Sequence, residues 1–334
     1  MILHLLVPRL LSAPRGVRPE AAGLPRLPAL EKILARANVG GPLAVGNSLS
    51  TSDSDKSSTA WLAYYGVTGT EPESPILIAS PVHLQVGVDN LILFGPDLLK
   101  LTDLESKAVC ESFNEAFCPS GYELVCADSQ NWFLKYQISL DAVTTPLTEV
   151  QSRNISAFLP EGPDGLTLSA LMNEIQMFFH AYDINNNRRQ KGEPELSSLW
   201  LWGNEQPPTG MYCADAESVY ADDPVFVGLA RSNNNYSGPA PADFDAWSAQ
   251  AGDEAEMIVL NASCRAWERC DLEAWREAAV SFERDWAMPA LTAIRKNHLE
   301  KLVLHTGGKN LHTFQRHHLM RFWKLAAPIK VSIT

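Results

Sequence analysis

An α/β fold is predicted for this chain, and three observations predict it. Short runs rich in Ile, Leu and Val recur along the whole sequence, helical patterns with recognisable caps separate them, and several runs are apolar at successive residues. Strand and helix patterns in alternation point to a sheet with crossover helices. Unbroken apolar runs suit strands buried on both faces, the habit of parallel sheets. With 334 residues the chain can form one large domain or two ordinary ones.

The elements follow in order. ILHLLV, from Ile2, reads as a first buried strand rather than a secretory leader, because a basic start is lacking and His4 and Pro8 break the apolar stretch. ILIASPVHLQV from Ile76 and NLILF from Asn90 read as strands. Thr102 and Glu105 then form a capping box, opening a helix expected to bury Leu104, Ala108, Val109, Phe113 and Phe117. WFLKYQIS from Trp132 is another strand. Leu168, Leu171, Met172, Ile175, Phe178 and Phe179 share one face of a second helix. SLWLWG from Ser198 and MIVLNA from Met257 are strands, and between them Asp223-Pro224 marks a helix start, with Asp as the cap and Pro in the first turn. A third helix, opened near Asp271, aligns Trp275, Ala278, Ala279, Phe282 and Trp286 until Pro289 ends or kinks it. KLVLH from Lys301 is the last strand. Two polar stretches, Ser48 to Thr59 and Arg231 to Trp247, read as mobile surface loops or insertions.

Composition excludes several functions. A net charge of -12 argues against nucleic-acid binding, which rests on clustered Lys and Arg. No run of eighteen apolar residues is present to cross a bilayer. The six cysteines form no Cys-x-x-Cys pair, so a reducing cytoplasm is the expected location. A Gly-rich phosphate loop, His-Glu-x-x-His and Gly-x-Ser-x-Gly are all absent.

Three groups of residues remain as candidates. In INNNRRQKG the guanidinium groups of Arg188 and Arg189, with Asn185 as a further donor, suit phosphate or carboxylate oxygens; a solvated helix end is the alternative. Ser57 and Ser58, before TAWLAYYGV, place a hydroxyl at a helix start, either as a nucleophile or as an ordinary N-cap. His305, His312, His317 and His318 are metal candidates whose convergence spacing alone does not show. Trp200 and Trp202 share a strand face, which suits core packing better than a ligand platform.

From Ile76 to Gly203 the order of features resembles the archaeal-type, cofactor-independent phosphoglycerate mutases. LTDLESKAVCESFN, RNISAFLPEGPDG, LMNEIQMFFHAYDINNNRRQKG and SSLWLWG stand where that family carries a capped helix, an N-x-x-x-x-L-P-x-G segment, an N-x-x-R-R-x-x-G turn and a W-L-W-G strand. Asn185, Arg188, Arg189, Gly192, Trp200, Trp202 and Gly203 fall on matching positions. LPALEKILARANVGG and STAWLAYYGV resemble segments of the family's core, the second placing Ser57 on the nucleophile's position. Across nearly the whole chain, SSLWLWGNEQ, SVYADDPVFVGLA and Arg321-Phe322-Trp323 are similar to the proteobacterial RpfE-type regulatory proteins, which are described as regulatory without a defined reaction.

The resemblance implies an alkaline-phosphatase-like core of mostly parallel sheet flanked by helices, built from residues 1–81 and 197–334, with a smaller α+β domain inserted at 82–196. It implies that Ser57 carries a phosphoryl group, that Asn185, Arg188 and Arg189 bind substrate phosphate, and that two divalent cations, Mn or Zn, clamp the oxygens. The chain departs from the family at the ligands. Pro8-Arg9 follows the first strand where the family has Asp-Gly, Cys264 to Glu268 stand for its D-E-A-G-H, and LHTGGKN only loosely matches its D-H-x-T-P turn. No metal is therefore expected, and the expected function is a catalytically degenerate relative that binds a small phosphorylated or carboxylated ligand between the two domains. The rival is an active metal-dependent mutase or phosphatase with a rearranged site drawing on Ser57, Glu268, His305 and His312. A third reading is an interaction protein without a small-molecule site.

Overall fold

The first strand, β1 (Ile2–Leu6), lies at the centre of a seven-stranded sheet, between β11 (Ala255–Val259) and β12 (Lys301–His305), and runs parallel to both. In the computed structural model, residues 1–18, 21–40, 58–87, 90–138, 140–204, 216–307 and 310–333 are described. The chain divides into one unit of Met1–Ser50 with Pro208–Thr334 and a second of Thr51–Pro207. The expected cut between residues 81 and 82 falls inside a single strand, β4 (Ile76–Val86). Ile76–Ile78 and Ile78–Val82 of that strand pair with two neighbours in the second unit, so its first half cannot be separated from that unit's sheet.

The first unit carries the mostly parallel sheet. Its remaining strands are β2 (Ser12–Ala13), β3 (Asn38–Gly40), β9 (Ser218–Tyr220), β10 (Tyr236–Gly238), β13 (Leu311–Gln315) and β14 (Ser332–Ile333). The order is β10-β9-β11-β1-β12-β13-β3, with β13 antiparallel to both its neighbours, while β2 and β14 form a separate pair. Helices α1 (Pro28–Arg36), α8 (Pro224–Ser232), α9 (Phe244–Ser248), α10 (Ala262–Glu268), α11 (Leu272–Phe282) and α12 (Met288–Arg295) accompany it. One sheet face buries Leu3, Leu5, Leu302 and Leu304 with Leu30, Ile33, Trp286 and Ile294, and the other buries Leu6, Met257 and Val259 with Phe226. Burial on both faces is why ILHLLV and KLVLH carry apolar residues in unbroken succession.

Local chemistry sets the helix ends. Asp223 and Asp271 cap α8 and α11, accepting from the N–H groups of Val225 at 2.9 Å and Ala274 at 3.0 Å. α1 starts without a side-chain cap of its own; Glu283, far along the chain, accepts from the N–H groups of Ala29 and Leu30 at 2.7 and 2.9 Å. Ahead of Pro289 the α-helical ladder gives way to a π-helical turn, Glu283–Ala287. Proline has no N–H to give the carbonyl four residues back, so the ladder must shift there. Within the stretch Arg231 to Trp247, read as a loop, the chain forms the edge strand β10 and the short helix α9. Asn235 pins it, donating to the Ala216 carbonyl at 2.7 Å.

The second unit holds β4, β5 (Leu91–Phe94), β6 (Tyr122–Cys126), β7 (Trp132–Tyr136) and β8 (Ser198–Trp202), together with α2 (Thr59–Thr68), α3 (Pro96–Leu99), α4 (Asp103–Phe117), α5 (Leu147–Val150), α6 (Gly165–His180) and α7 (Ile184–Lys191). All its pairings are antiparallel: β5-β4-β7-β6, with β8 on β4. The apolar runs SLWLW and WFLKY thus belong to an antiparallel sheet. They are unbroken because side chains on both faces are covered: Leu199, Trp200 and Leu201 are all buried, and Tyr64 of α2 meets Phe133 edge-on at 5.3 Å. α4 keeps its capping box but turns Ser106, Val109, Phe113 and Phe117 inward, leaving Leu104 and Ala108 in solvent. Leu104 stands two residues from Ser106, about 200° around the helix, so both cannot face the core.

Candidate anion site at the sheet edge

The carboxyl ends of parallel strands are where open α/β sheets take their ligands, because several loops converge there. Four loops of the first unit meet this description: Val7–Leu10 after β1, Ala221–Asp223 after β9, Leu260–Asn261 after β11 and Thr306–Gly307 after β12.

Arg9 is the most constrained residue among them. Its φ is +62°, in the left-handed region that non-glycine residues rarely adopt. Both flanks hold the turn: the Ser263 hydroxyl donates to the Pro8 carbonyl at 2.7 Å, and the Trp275 indole N–H donates to the Arg9 carbonyl at 2.9 Å. The guanidinium carbon lies 4.0 Å from the centre of the Trp267 ring, whose own N–H is anchored on Ala13. Arg15 lies over the same ring at 4.6 Å. Among the described residues, no carboxylate stands within ion-pair distance of Arg9.

Polar groups from the adjoining loops complete the edge. Asp223 accepts from Asn261 Nδ2 at 3.2 Å, and burial pushes its carboxyl up despite that bond, the Val225 N–H and the nearby Arg265. Cys264 donates to Glu268 at 3.3 Å. Burial and then the Glu268 carboxylate push the thiol up, with the Arg9 charge working the other way. Cys264 is therefore a protonated thiol at neutral pH rather than a nucleophile.

The expected metal ligands do not assemble. Glu268 sits on α10 with Cys264, whereas His305 ends β12 and His312 lies across from Leu304 on β13. Among the described residues no three His, Cys, Asp or Glu side chains converge on a point that could hold an ion. His305 is buried, its Nε2 without a hydrogen-bond partner, and burial followed by the nearby His4 and His312 lowers it to about 3. The described donor set thus does not fit a metal pair, which needs carboxylates and imidazoles facing one another. Ser57 lies outside the described residues. Its neighbour Ser58 is the N-cap of α2, accepting from the Trp61 N–H at 3.1 Å.

In the second unit the three predicted anion donors divide. Asn185 is buried and clasps two segments: its amide donates to the Phe179 and Leu196 carbonyls and accepts from the Leu196 N–H, all at 2.9 Å. Arg188 is only 1% exposed. Its guanidinium donates to the Pro194 carbonyl at 2.7 Å, to Glu105 at 2.8 Å and to the Leu99 carbonyl. These two residues hold the chain together, and their donors point inward. Arg189 keeps half its side chain in solvent, 3.4 Å from Glu195. Trp200 and Trp202 bond to Thr145 and Ser80, as core residues do. Arg9 was legible in the sequence only as a departure from the family's Asp-Gly. The signal that finds it is positional, a polar residue just past a buried strand, repeated in VPR, LNAS and ADDP.

The fold and its edge define an α/β protein of the alkaline-phosphatase-like kind, with a mostly parallel sheet and a smaller inserted α+β unit. No protein-family model matches the chain. The chain is similar to 2,3-bisphosphoglycerate-independent phosphoglycerate mutases from two archaea. It is 23% identical to that of Methanosarcina mazei over 197 residues, 55% of this chain and 49% of that protein. It is 26% identical to that of Methanothrix thermoacetophila over 109 residues, 33% of this chain and 27% of that protein. The chain thus matches half or less of the length of either relative. Among solved structures, the PH0037 protein from Pyrococcus horikoshii superposes with a TM-score of 0.50 at 12% identity, covering 93% of this chain and 86% of that one. The cofactor-independent phosphoglycerate mutase of Thermoplasma acidophilum covers 94% of this chain and 89% of that one at 11% identity, with a TM-score of 0.38, too loose a likeness to bear on the fold.

Proposed function

We propose that this phosphoglycerate-mutase-like protein no longer transfers phosphoryl groups and instead binds a small phosphorylated or carboxylated acid at the carboxyl edge of its parallel sheet, in a regulatory or ligand-binding role. One observation carries the reading: Arg9 is held in a left-handed turn against Trp267 with no carboxylate partner among the described residues. A fixed guanidinium fork at the end of the first strand suits phosphate or carboxylate oxygens. It is the wrong group to hold a divalent cation, and the family's transfer step relies on two of these. Ordering strain at a ligand-facing residue is common where binding needs preorganisation.

The test measures turnover and binding on one preparation. With 3-phosphoglycerate and added Mn or Zn, product formation stays at background, while calorimetry detects binding that Arg9→Ala weakens at least tenfold. Metal-dependent turnover above background, or equal affinity in parent and Arg9→Ala, overturns the reading.

A further inference from the structure

Away from that edge, one short segment of the first unit holds large apolar side chains out of the core. From Lys301 onward the sequence has six Lys and Arg and no Asp or Glu, whereas all 39 acids and only 21 of the 27 cations precede it. Within this basic stretch MRFWKL, Met320 to Leu325, interleaves Arg321 and Lys324 with four large apolar residues. Met320, Phe322, Trp323 and Leu325 are all between 66% and 80% exposed.

The segment is pinned in place with those side chains outward. Arg36, in the last turn of α1, donates to the Leu319 carbonyl at 3.0 Å and to the Lys324 carbonyl at 3.4 Å. Arg321 returns a bond to the Arg36 carbonyl at 2.9 Å. Further along, Ile329 packs against the core and β14 pairs with β2. Phe322 and Trp323 stand edge-on to each other at 5.4 Å. Holding four such side chains in water forgoes the gain of burying them, and apolar groups gathered at one exposed place mark a contact surface. Cations surround it. Arg316 and Lys324 are exposed, and Lys32 on α1 lies near Arg36 and Arg295, whose charges add to burial in pushing its amine down.

We propose that Met320–Leu325 is a peripheral membrane contact, in which Phe322 and Trp323 enter the headgroup–acyl boundary of an anionic bilayer while Arg316 and Lys324 meet lipid phosphates. Composition favours lipid over a protein partner. The buried centre of a protein interface is depleted in charge, Lys above all, yet here each of the four apolar residues adjoins Arg321 or Lys324. A bilayer interface accepts that mixture: aromatic rings rest at the boundary, and basic side chains lay their stems along the apolar layer with the charge at the phosphates. The acidic remainder of the chain sets the orientation, since an anionic leaflet repels it and attracts the basic segment. Carboxylates farther than about 8 Å from the lipid are screened by physiological salt. Neither the apolar insertion nor the basic attraction anchors firmly alone, so loss of either should release the protein.

The experiment pellets the full-length chain with sucrose-loaded vesicles of phosphatidylcholine alone or of equal parts phosphatidylcholine and phosphatidylglycerol. Binding to the mixed vesicles should be about tenfold tighter or more, and should weaken as salt is raised. The double variants Phe322→Ala with Trp323→Ala, and Arg316→Glu with Lys324→Glu, should each lose about tenfold or more in binding. Leu104→Ala, which trims an 80% exposed leucine of the second unit, should bind like the parent. All these side chains lie at the surface, and an unchanged urea midpoint checks that each variant folds. No binding of the unmutated chain to mixed vesicles, equal binding to both kinds, or parent-like binding by either double variant overturns the proposal. So does self-association in sedimentation velocity that the Phe322→Ala, Trp323→Ala variant abolishes while vesicles stay unbound, which would assign the patch to a second copy of the chain.

Discussion

Replacing Arg188 separates a structural guanidinium from a ligand-binding one. Arg188→Met keeps the apolar stem and removes the fork. Two backbone carbonyls, Pro194 and Leu99, lose their donor, and Glu105 loses its cation in a place where only 20% of its side chain is exposed. Removing one partner of a buried ion pair costs ~3–5 kcal/mol, because the remaining charge and acceptors stay desolvated. Arg189→Met, on a side chain half in solvent, should change stability by less than ~0.5 kcal/mol. Hydrogen exchange of the β8 and α7 amides under urea is the suitable assay, because it reads the opening of the second unit itself. The penalty should also shrink in acid. Burial raises the Glu105 carboxyl, but the Thr102 N–H, Arg188 and the Thr102 hydroxyl outweigh it, and the net shift is downward. A carboxyl lowered on folding adds stability above its unfolded range and loses it as pH falls through the folded value. If Arg188→Met matched the parent in stability yet abolished 3-phosphoglycerate binding, the structural assignment would be refuted.

Three further outcomes are expected. Glu283→Ala strips two backbone N–H groups at the start of α1 of their acceptor and should cost about 2–3 kcal/mol, read as a lower denaturant midpoint; a loss under ~0.5 kcal/mol would show that water replaces it. Gly203→Ala should destabilise the second unit by ~1–3 kcal/mol, because φ is +99° and a Cβ would come 3.1–3.2 Å from Ala60, whose N–H donates to the Gly203 carbonyl; an unchanged midpoint would contradict this. Stability should fall as pH drops below about 6.5, since burial lowers His4 to about 4 and His305 to about 3, and the unfolded chain binds those protons first. His305→Leu should flatten that decline in a series of urea midpoints from pH 7 to pH 4, and an unaltered slope would place the acid sensitivity elsewhere.

Much of the fold was legible because local chemistry and burial agree. The capping box at Thr102 and Glu105 and the caps at Asp223 and Asp271 each need only residues a few positions apart, and all form as read. The inward face of α6 follows from its period. The direction of strand pairing was less legible: SLWLW and KLVLH look alike, yet the first pairs antiparallel with β4 and the second parallel with β1. An unbroken apolar run records that both faces are covered and is silent on the neighbour's direction. Leu104 likewise followed composition in the reading of α4, where helix phase decided otherwise.

By itself the sequence determined the α/β class, the caps and most of the core, since these depend on periodicity and on neighbours along the chain. Only the tertiary structure decided which polar residues face inward. Adjacent arginines such as Arg188 and Arg189 are chemically identical until distant segments, here Leu99, Glu105 and Pro194, surround one of them. The position of Arg9 beside Trp267 has the same origin: a contact between residues remote along the chain, which no local pattern encodes.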